Sequence, residues 1–180
     1  MLPMDGRRVV IKRYNMKNGW HWLRRCTRPS RAWTNWRNAH WLELLGLHTP
    51  APIAFLEMRC GPLRGRAYYL CEFVGGAALD SELAARQPTD REIEEMKNYF
   101  TVAAAEQLVH GDMKATNFLL ADEQLSILDL DAMREVADSS RWRALFQRDF
   151  ARFARNFHGT HSNWIESLRS HVATLAGISK

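Results

Sequence analysis

Apolar residues along this chain recur in two rhythms, one of period two and one close to 3.6, and the change from one to the other marks the predicted elements. Val9, Val10 and Ile11 follow the Asp5-Gly6 turn signal and predict a strand leaving a hairpin, with Lys12 extending from its end. Only a few residues precede that hairpin, so a strand pairing with it from the N-terminal side is expected to be a stub. From Ser30 to Leu45 the residues Trp33, Trp36, Trp41, Leu44 and Leu45 fall at mostly helical spacing, with Ser30 placed to cap and Gly46 to end the helix. Pro50 and Pro52 interrupt the chain before Pro52–Met58. Gly61-Pro62 separates that run from Ala67–Phe73, and the two read as an antiparallel pair. Gly75-Gly76 closes this half.

The second half opens on a capping box. In Thr89-Asp90-Arg91-Glu92 the hydroxyl and the Glu carboxylate satisfy amides at a helix start. Ile93, Met96, Phe100, Ala104 and Leu108 then keep a helical period to about Val109. Phe118–Leu120 and Leu125–Leu128 are short apolar runs joined by Ala121-Asp122-Glu123-Gln124, which predicts a hairpin. From Arg141 onward Trp142, Leu145, Phe146, Phe150, Phe153 and Phe157 line one side of a helical pattern and many arginines the other. No internal repeat or low-complexity segment is present. A β-rich part with one helix followed by a mainly helical part predicts a ligand-bearing cleft between two lobes.

Composition narrows the class. With 180 residues, 46% of them apolar, the chain can fill the core of one domain or two small lobes. Cys26, Cys60 and Cys71 are odd in number and form no C-x-x-C pair, which encodes neither a disulfide framework nor a zinc site and suits a reducing cytoplasm. The start MLPMDGRRVV has no apolar leader core, and no window approaches the roughly 18 uncharged apolar residues of a membrane span, so a soluble protein is expected. The net charge of +5 is unevenly spread: the first forty residues hold ten Lys or Arg against Asp5, a balance of +9, and the remainder sums to −4. Such a basic end fits either a polyanionic partner or a plain solvated face. Five of the seven tryptophans lie within the first 41 residues. They can be read as a stacking surface for single-stranded nucleic acid, but Trp33, Trp36 and Trp41 fall on a helix that needs a buried face, which favours core packing. His158 and His161 have no third metal ligand nearby, and a surface role is expected of them.

The stretch with most chemistry is His110-Gly111-Asp112-Met113-Lys114-Ala115-Thr116-Asn117, which fits H-x-D-x-K-x-x-N. In loops of that pattern the Asp accepts a hydroxyl proton and the Asn holds a metal. Asp129 lies twelve residues beyond Asn117, on the second strand of the predicted hairpin. Folding that hairpin returns the carboxylate toward the amide, so that both can serve one hard cation such as magnesium together with nucleotide phosphates. The plain alternative is a loop of turn-forming residues with local Asx bonds. Val9-Val10-Ile11-Lys12 resembles the V-A-I-K strand whose lysine pairs with phosphates. Arg148-Asp149 reads equally as a buttress of the loop or as a surface ion pair.

VVIKRYN, SRAWTNWRNAHWLELLGLHTPAPIAFLE, AYYLCEF, VHGDMKATNFLL, ILDLDAM and RDFARFARN together resemble the protein-kinase-like superfamily. More narrowly, they resemble the bacterial lipopolysaccharide kinases that phosphorylate Kdo or heptose sugars of the inner core. That resemblance implies an α+β, two-lobe, single domain over residues 1–180, with a partial N-terminal β lobe and hinge at 1–74 and a helical lobe at 75–180. It implies ATP and Mg2+ as cofactors, Asp112 as catalytic base with Lys114 near the γ-phosphate, Asn117 and Asp129 as metal ligands, Lys12 on the ATP phosphates, and the backbone from Glu72 to Val74 as the adenine hinge. His110 is expected to support the loop. The implied partner is lipopolysaccharide core or a lipid A precursor, met at the cytoplasmic side with a peripheral inner-membrane contact, and no nucleic acid is expected. Alternatives are a protein or small-molecule kinase, or an impaired kinase-like binding module. Three departures stand beside the resemblance. The first strands and glycine-rich loop are missing, as in a fragment or an impaired enzyme. Asn35 occupies the position of the helix glutamate that would pair with Lys12. Asp129-Leu130-Asp131 replaces D-F-G.

Overall fold

The computed structural model describes residues 2–4, 7–14, 28–157 and 162–177. The Asp5-Gly6 turn, Trp20, Trp22, Cys26, His158 and His161 lie outside the described residues. The fold is α+β and divides into two compact units, one holding residues 1–74 and 130–132, the other 75–129 and 133–180.

The first unit is a four-stranded antiparallel sheet in the order β1-β2-β4-β3, with one helix. β1 (Leu2–Met4) is the expected stub and pairs with β2 (Arg7–Tyr14), which in turn pairs with β4 (Leu63–Glu72) in a register that sets Lys12 opposite Tyr69 and Val9 opposite Glu72. β3 (Pro52–Cys60) forms the edge, with register shifts near Pro52 and Glu57. Its Ile53, Leu56 and Met58 are exposed.

Helix α1 (Arg31–Leu44) starts where the sequence predicts, Ser30 Oγ accepting from the Trp33 N–H at 3.1 Å. Its buried face differs from the expected one. Ala32, Asn35, Asn38, Ala39 and Leu42 are buried, whereas Leu44 is 86% exposed and Trp33 and Trp41 are only half-buried. Trp36 packs beside the small core of Ala32, Ala67, Tyr69 and Cys71, and the Arg37 guanidinium lies 5.0 Å from the Trp33 ring. Small and amide residues take the inner stripe because a backbone segment, Leu130–Ala132, lies against it and needs hydrogen-bond partners.

In the second unit β5 (Ala77–Ala78), β7 (Phe118–Ala121) and β8 (Gln124–Ile127) form a small sheet. Gly76 has φ +104, and a Cβ there would lie 2.4 Å from the Leu120 carbonyl oxygen, so only glycine fits beside β7. Helix α2 (Leu79–Ala85), absent from the sequence reading, follows. Helix α3 (Asp90–Ala105) carries the complete capping box but stops four residues before Val109. Gln107 turns the chain with φ 48, and Leu108–Val109 becomes strand β6, paired with β9 (Arg134–Glu135). Helices α4 (Ser139–Ala154) and α5 (Ser162–Leu175) complete the unit.

Its core is aromatic. Phe100 meets Phe146, Phe150 and Phe153 edge to face at centroid distances of 6.1, 5.4 and 6.0 Å, and Phe118 meets Tyr99 and Phe153, both at 5.5 Å. Such pairs add about 0.5–1.5 kcal/mol each beyond the area they bury. Burial pushes the Tyr99 phenol up from its ordinary range. Among the described residues, no helix is long and apolar enough to cross a membrane.

Candidate functional site

The loop from His110 to Asn117 leaves β6 inside the aromatic unit, and three of its predicted site residues touch one another. Lys114 Nζ lies 3.2 Å from Asp112 Oδ2, and Asn117 Nδ2 donates to the Asp112 carbonyl at 2.8 Å. That bond commits the amide nitrogen and leaves Oδ1 as the atom available to a cation. A short 3-10 turn, Ala115–Asn117, delivers Asn117 directly into β7.

The β7–β8 hairpin then does what its spacing predicts. Asp122 and Glu123 both adopt left-handed conformations, φ 49 and 60, which closes a two-residue connection, and the ladder runs from Ala121 opposite Gln124 to Phe118 opposite Ile127. One step further the Leu128 N–H donates to the Asn117 carbonyl at 2.8 Å. Asp129, the next residue, is therefore delivered beside Asn117. Its own φ is 57, a conformation that L-residues enter at a cost of roughly 1–2 kcal/mol and that Asp tolerates better than most.

His110 sits beneath this arrangement, fully buried, with Nε2 at 3.0 Å from the Leu128 carbonyl. It supports the strand that leads to Asp129. Burial holds its pKa below the ordinary imidazole value, partly offset by the nearby negative charges of Asp149, Asp129 and Asp112 and by the bond to Leu128. The same three acids thus lie within electrostatic reach of one ring.

Helix α4 grips the loop from the other side through residues that the sequence reading noted only in part. Asp149, 2% exposed, accepts from the Gly111 N–H at 2.8 Å, so it is a buttress and not a surface ion pair. Gly111 has φ 80, where a side chain would be strained. Arg152 Nη2 lies 2.6 Å from Asp112 Oδ1, and Asn156 Oδ1 accepts from the Ala115 N–H at 3.0 Å. Positions 149 and 152 lie one turn apart on α4, and Asn156 follows in the 3-10 turn Arg155–Phe157, a spacing of polar residues inside an apolar run that is visible in RDFARFARN.

Lys12, Glu72 and Val74 belong to the first unit. Lys12 is half-buried on β2, and its charge opposes the upward push that burial exerts on the Cys71 thiol. The Glu72 N–H donates to Ala51 and the Phe73 N–H to Arg8, whereas among the described residues the Val74 N–H makes no backbone hydrogen bond. Asn35 has a different task from the glutamate whose position it fills: Nδ2 donates to the Tyr14 hydroxyl at 3.1 Å and Oδ1 accepts from the Leu130 N–H at 3.0 Å. Asn38 Nδ2 donates to the Leu130 carbonyl at 2.7 Å, and Arg31 Nε meets Asp131 at 2.6 Å. The Asp131 that replaces glycine in the D-F-G pattern is thus bound by the first residue of α1.

Among the described residues no three His, Cys, Asp or Glu side chains cluster as a metal cage. One amide oxygen and one carboxylate suit a cation that keeps water and phosphate ligands of its own, as magnesium does. Solved structures share the fold. "WaaP in complex with acyl carrier protein" is 18% identical, with 99% of this chain and 83% of that one covered at a TM-score of 0.56. Monomeric WbdD is 16% identical over 96% of this chain and 42% of that one, TM-score 0.57. The Rio2 kinase–ADP/Mg2+–phosphoaspartate complex from Chaetomium thermophilum is 17% identical over 83% of this chain and 50% of that one, TM-score 0.51. At these identities the likeness establishes a protein-kinase-like fold and nothing finer. No curated protein matches the sequence. Residues 5–171 match the lipopolysaccharide kinase (Kdo/WaaP) family, and the chain belongs to that family.

Proposed function

We propose that this chain is an ATP- and magnesium-dependent phosphotransferase that phosphorylates a sugar hydroxyl, of Kdo or heptose, in the inner core of lipopolysaccharide. The observation that supports the reading is the hydrogen-bonded run from Asp112 through Asn117 to Leu128, the residue before Asp129. Family membership supplies the substrate class.

In this reading Asp112 orients the acceptor hydroxyl and takes its proton as the oxygen bonds to the γ-phosphorus and the bond to the ADP oxygen breaks. Lys114 steadies the transferring phosphoryl group. Asn117 Oδ1 and the Asp129 carboxylate hold magnesium, which when bound neutralises charge between the phosphates. Lys12 pairs with the phosphates, and the backbone from Glu72 to Val74 receives adenine. Glycolipid at the cytoplasmic face of the inner membrane is the partner, met by the basic N-terminal region as a peripheral contact.

The test has two arms. ATP with magnesium raises the melting temperature of the wild type and not of Asp129→Ala, and phosphate passes to Kdo-containing lipid A in the wild type and not in Asp112→Ala. Absence of any nucleotide shift sinks the reading in favour of an impaired binding module, and transfer to protein alone replaces the sugar with a protein substrate.

A further inference from the structure

The middle contact between α4 and the loop is chemically odd for a residue that must orient a hydroxyl. Asp112 offers two oxygens, and both are taken: Oδ1 by Arg152 at 2.6 Å and Oδ2 by Lys114 at 3.2 Å. Asp149 and Asn156, on either side of Arg152, bind backbone N–H groups and fix the loop. Among the described residues Arg152 binds no backbone group. Its side chain is 38% exposed and its ionic partner is the reactive carboxylate itself.

Exposure means that folding does not require this ion pair, since pairs of that kind contribute little to stability. Arg152 and Lys114 set two cations on this one carboxylate. A neutral alcohol that approaches Asp112 competes with a short charge-assisted hydrogen bond for the carboxylate's charge and gives the guanidinium nothing in return. An alcohol on a sugar that also carries a carboxylate or phosphate gives it a two-pronged partner, and the hydroxyl then bonds to the freed Asp112 oxygen. The alternative, that Arg152 is a structural strut, leaves unexplained why the strut ends on the one group the reaction needs free.

The geometry points to Arg152 as a specificity-determining residue that recognises an anionic substituent of the acceptor sugar and keeps Asp112 engaged until such an acceptor arrives. This deepens the sugar-kinase reading and rests on it. The proton and phosphoryl steps are unchanged; what changes is which alcohols reach them.

Calorimetric titration of the full chain tests this without turnover, using free Kdo, its methyl ester and a hexose phosphate as probes. The wild type binds an acid and discriminates against the ester. Arg152→Gln weakens the acid by about tenfold or more, the scale of one charged hydrogen bond, and leaves the ester unchanged, while Arg152→Lys recovers part of the loss. Asp112→Asn removes the competing carboxylate and tightens the acid, which a strut would not produce. Whichever of Kdo and hexose phosphate loses more affinity in Arg152→Gln identifies carboxylate or phosphate as the recognised group. Equal binding of acid and ester by the wild type, no acid binding at all, or an Arg152→Gln variant that binds like the wild type overturns the assignment. Arg152-dependent acid binding without phosphate transfer to any acceptor leaves this site standing and removes the kinase activity instead.

Discussion

Helices α1 and α4 both hold an acid-bearing segment by hydrogen bonds, yet they are built in opposite ways. In α4 an aromatic stripe of Trp142, Phe146, Phe150 and Phe153 is buried with a single polar residue, Asp149, among it, and the contact of Arg152 comes from an exposed position beside it. In α1 the polar residues are the buried stripe: Asn35 and Asn38 lie between Ala32, Ala39 and Leu42 and bind both backbone groups of Leu130. The difference separates two ways of placing a functional loop. Where large apolar area supplies cohesion, an exposed polar contact such as that of Arg152 can adjust with little effect on folding. Where the amides are themselves the packed surface, the hydrogen bonds decide whether the helix docks at all.

The largest effect expected is in the aromatic helix. Phe153 is 1% exposed and touches Phe100, Phe118, Phe150 and Phe157, so Phe153→Ala should destabilise by about 3–5 kcal/mol, read from the denaturant midpoint. Trp33→Ala in α1 should cost much less, because that ring is half-buried. Equal costs would erase the contrast between the helices.

Next comes the amide face. Asn35→Ala leaves the Leu130 N–H without its buried acceptor and removes the bond from Nδ2 to the Tyr14 hydroxyl, for roughly 1–3 kcal/mol. Asn35→Leu should be no better, since added apolar bulk cannot serve an amide. If Leu at this position restored stability, α1 would be an ordinary apolar helix after all.

The contrast also explains what could be read from the chain and what could not. Period-two runs bounded by Gly and Pro gave β3 and β4, and the Thr89–Glu92 box gave the start of α3, because those signals are local. The hairpin and the His110–Asn117 loop were legible for the same reason. α2 was not, having seven residues, no side-chain cap and only Leu79 and Leu83 buried. The end of α3 at Gln107 uses a left-handed residue that is not glycine. The inner face of α1 is not legible in the sequence because tryptophan and leucine outweigh asparagine in any apolar pattern, while the partner that makes asparagine preferable, Leu130, lies 92 residues from Asn38 in sequence. Arg152 was hidden in the same sense: spacing puts it on the face of Asp149, but only the fold brings Asp112 to meet it.

A smaller effect concerns pH, and it belongs to the aromatic unit. Buried His110 has a pKa below its ordinary 6.5. As pH falls through 6.5 the unfolded chain takes up a proton that the folded one resists, so this part of the stability is complete above 6.5 and is lost progressively below it, by at most about 1.4 kcal/mol per pH unit. The acids facing the ring, Asp149, Asp129 and Asp112, moderate the loss. His110→Gln keeps a donor for the Leu128 carbonyl and cannot titrate, so its midpoint should fall less than that of the wild type between pH 6.5 and 5. Parallel curves would mean that the ring is not as buried as the aromatic packing makes it.

The smallest effect tests the orientation of α1 most directly. Leu44 belongs to the helical spacing that marks Trp33, Trp36 and Trp41 as one face, yet it is 86% exposed. Leu44→Lys changes helix propensity very little and puts a cation in the last turn, where the helix dipole favours it, so stability should stay within about 0.5 kcal/mol. Were the tryptophan face the buried one, the same ammonium would be forced out of water with no partner, at a cost of several kcal/mol. One exposed leucine thus distinguishes a helix oriented by its largest side chains from one oriented by two amides. An unchanged midpoint for Leu44→Lys beside a lowered one for Asn35→Ala is the pair of results that only the second arrangement produces.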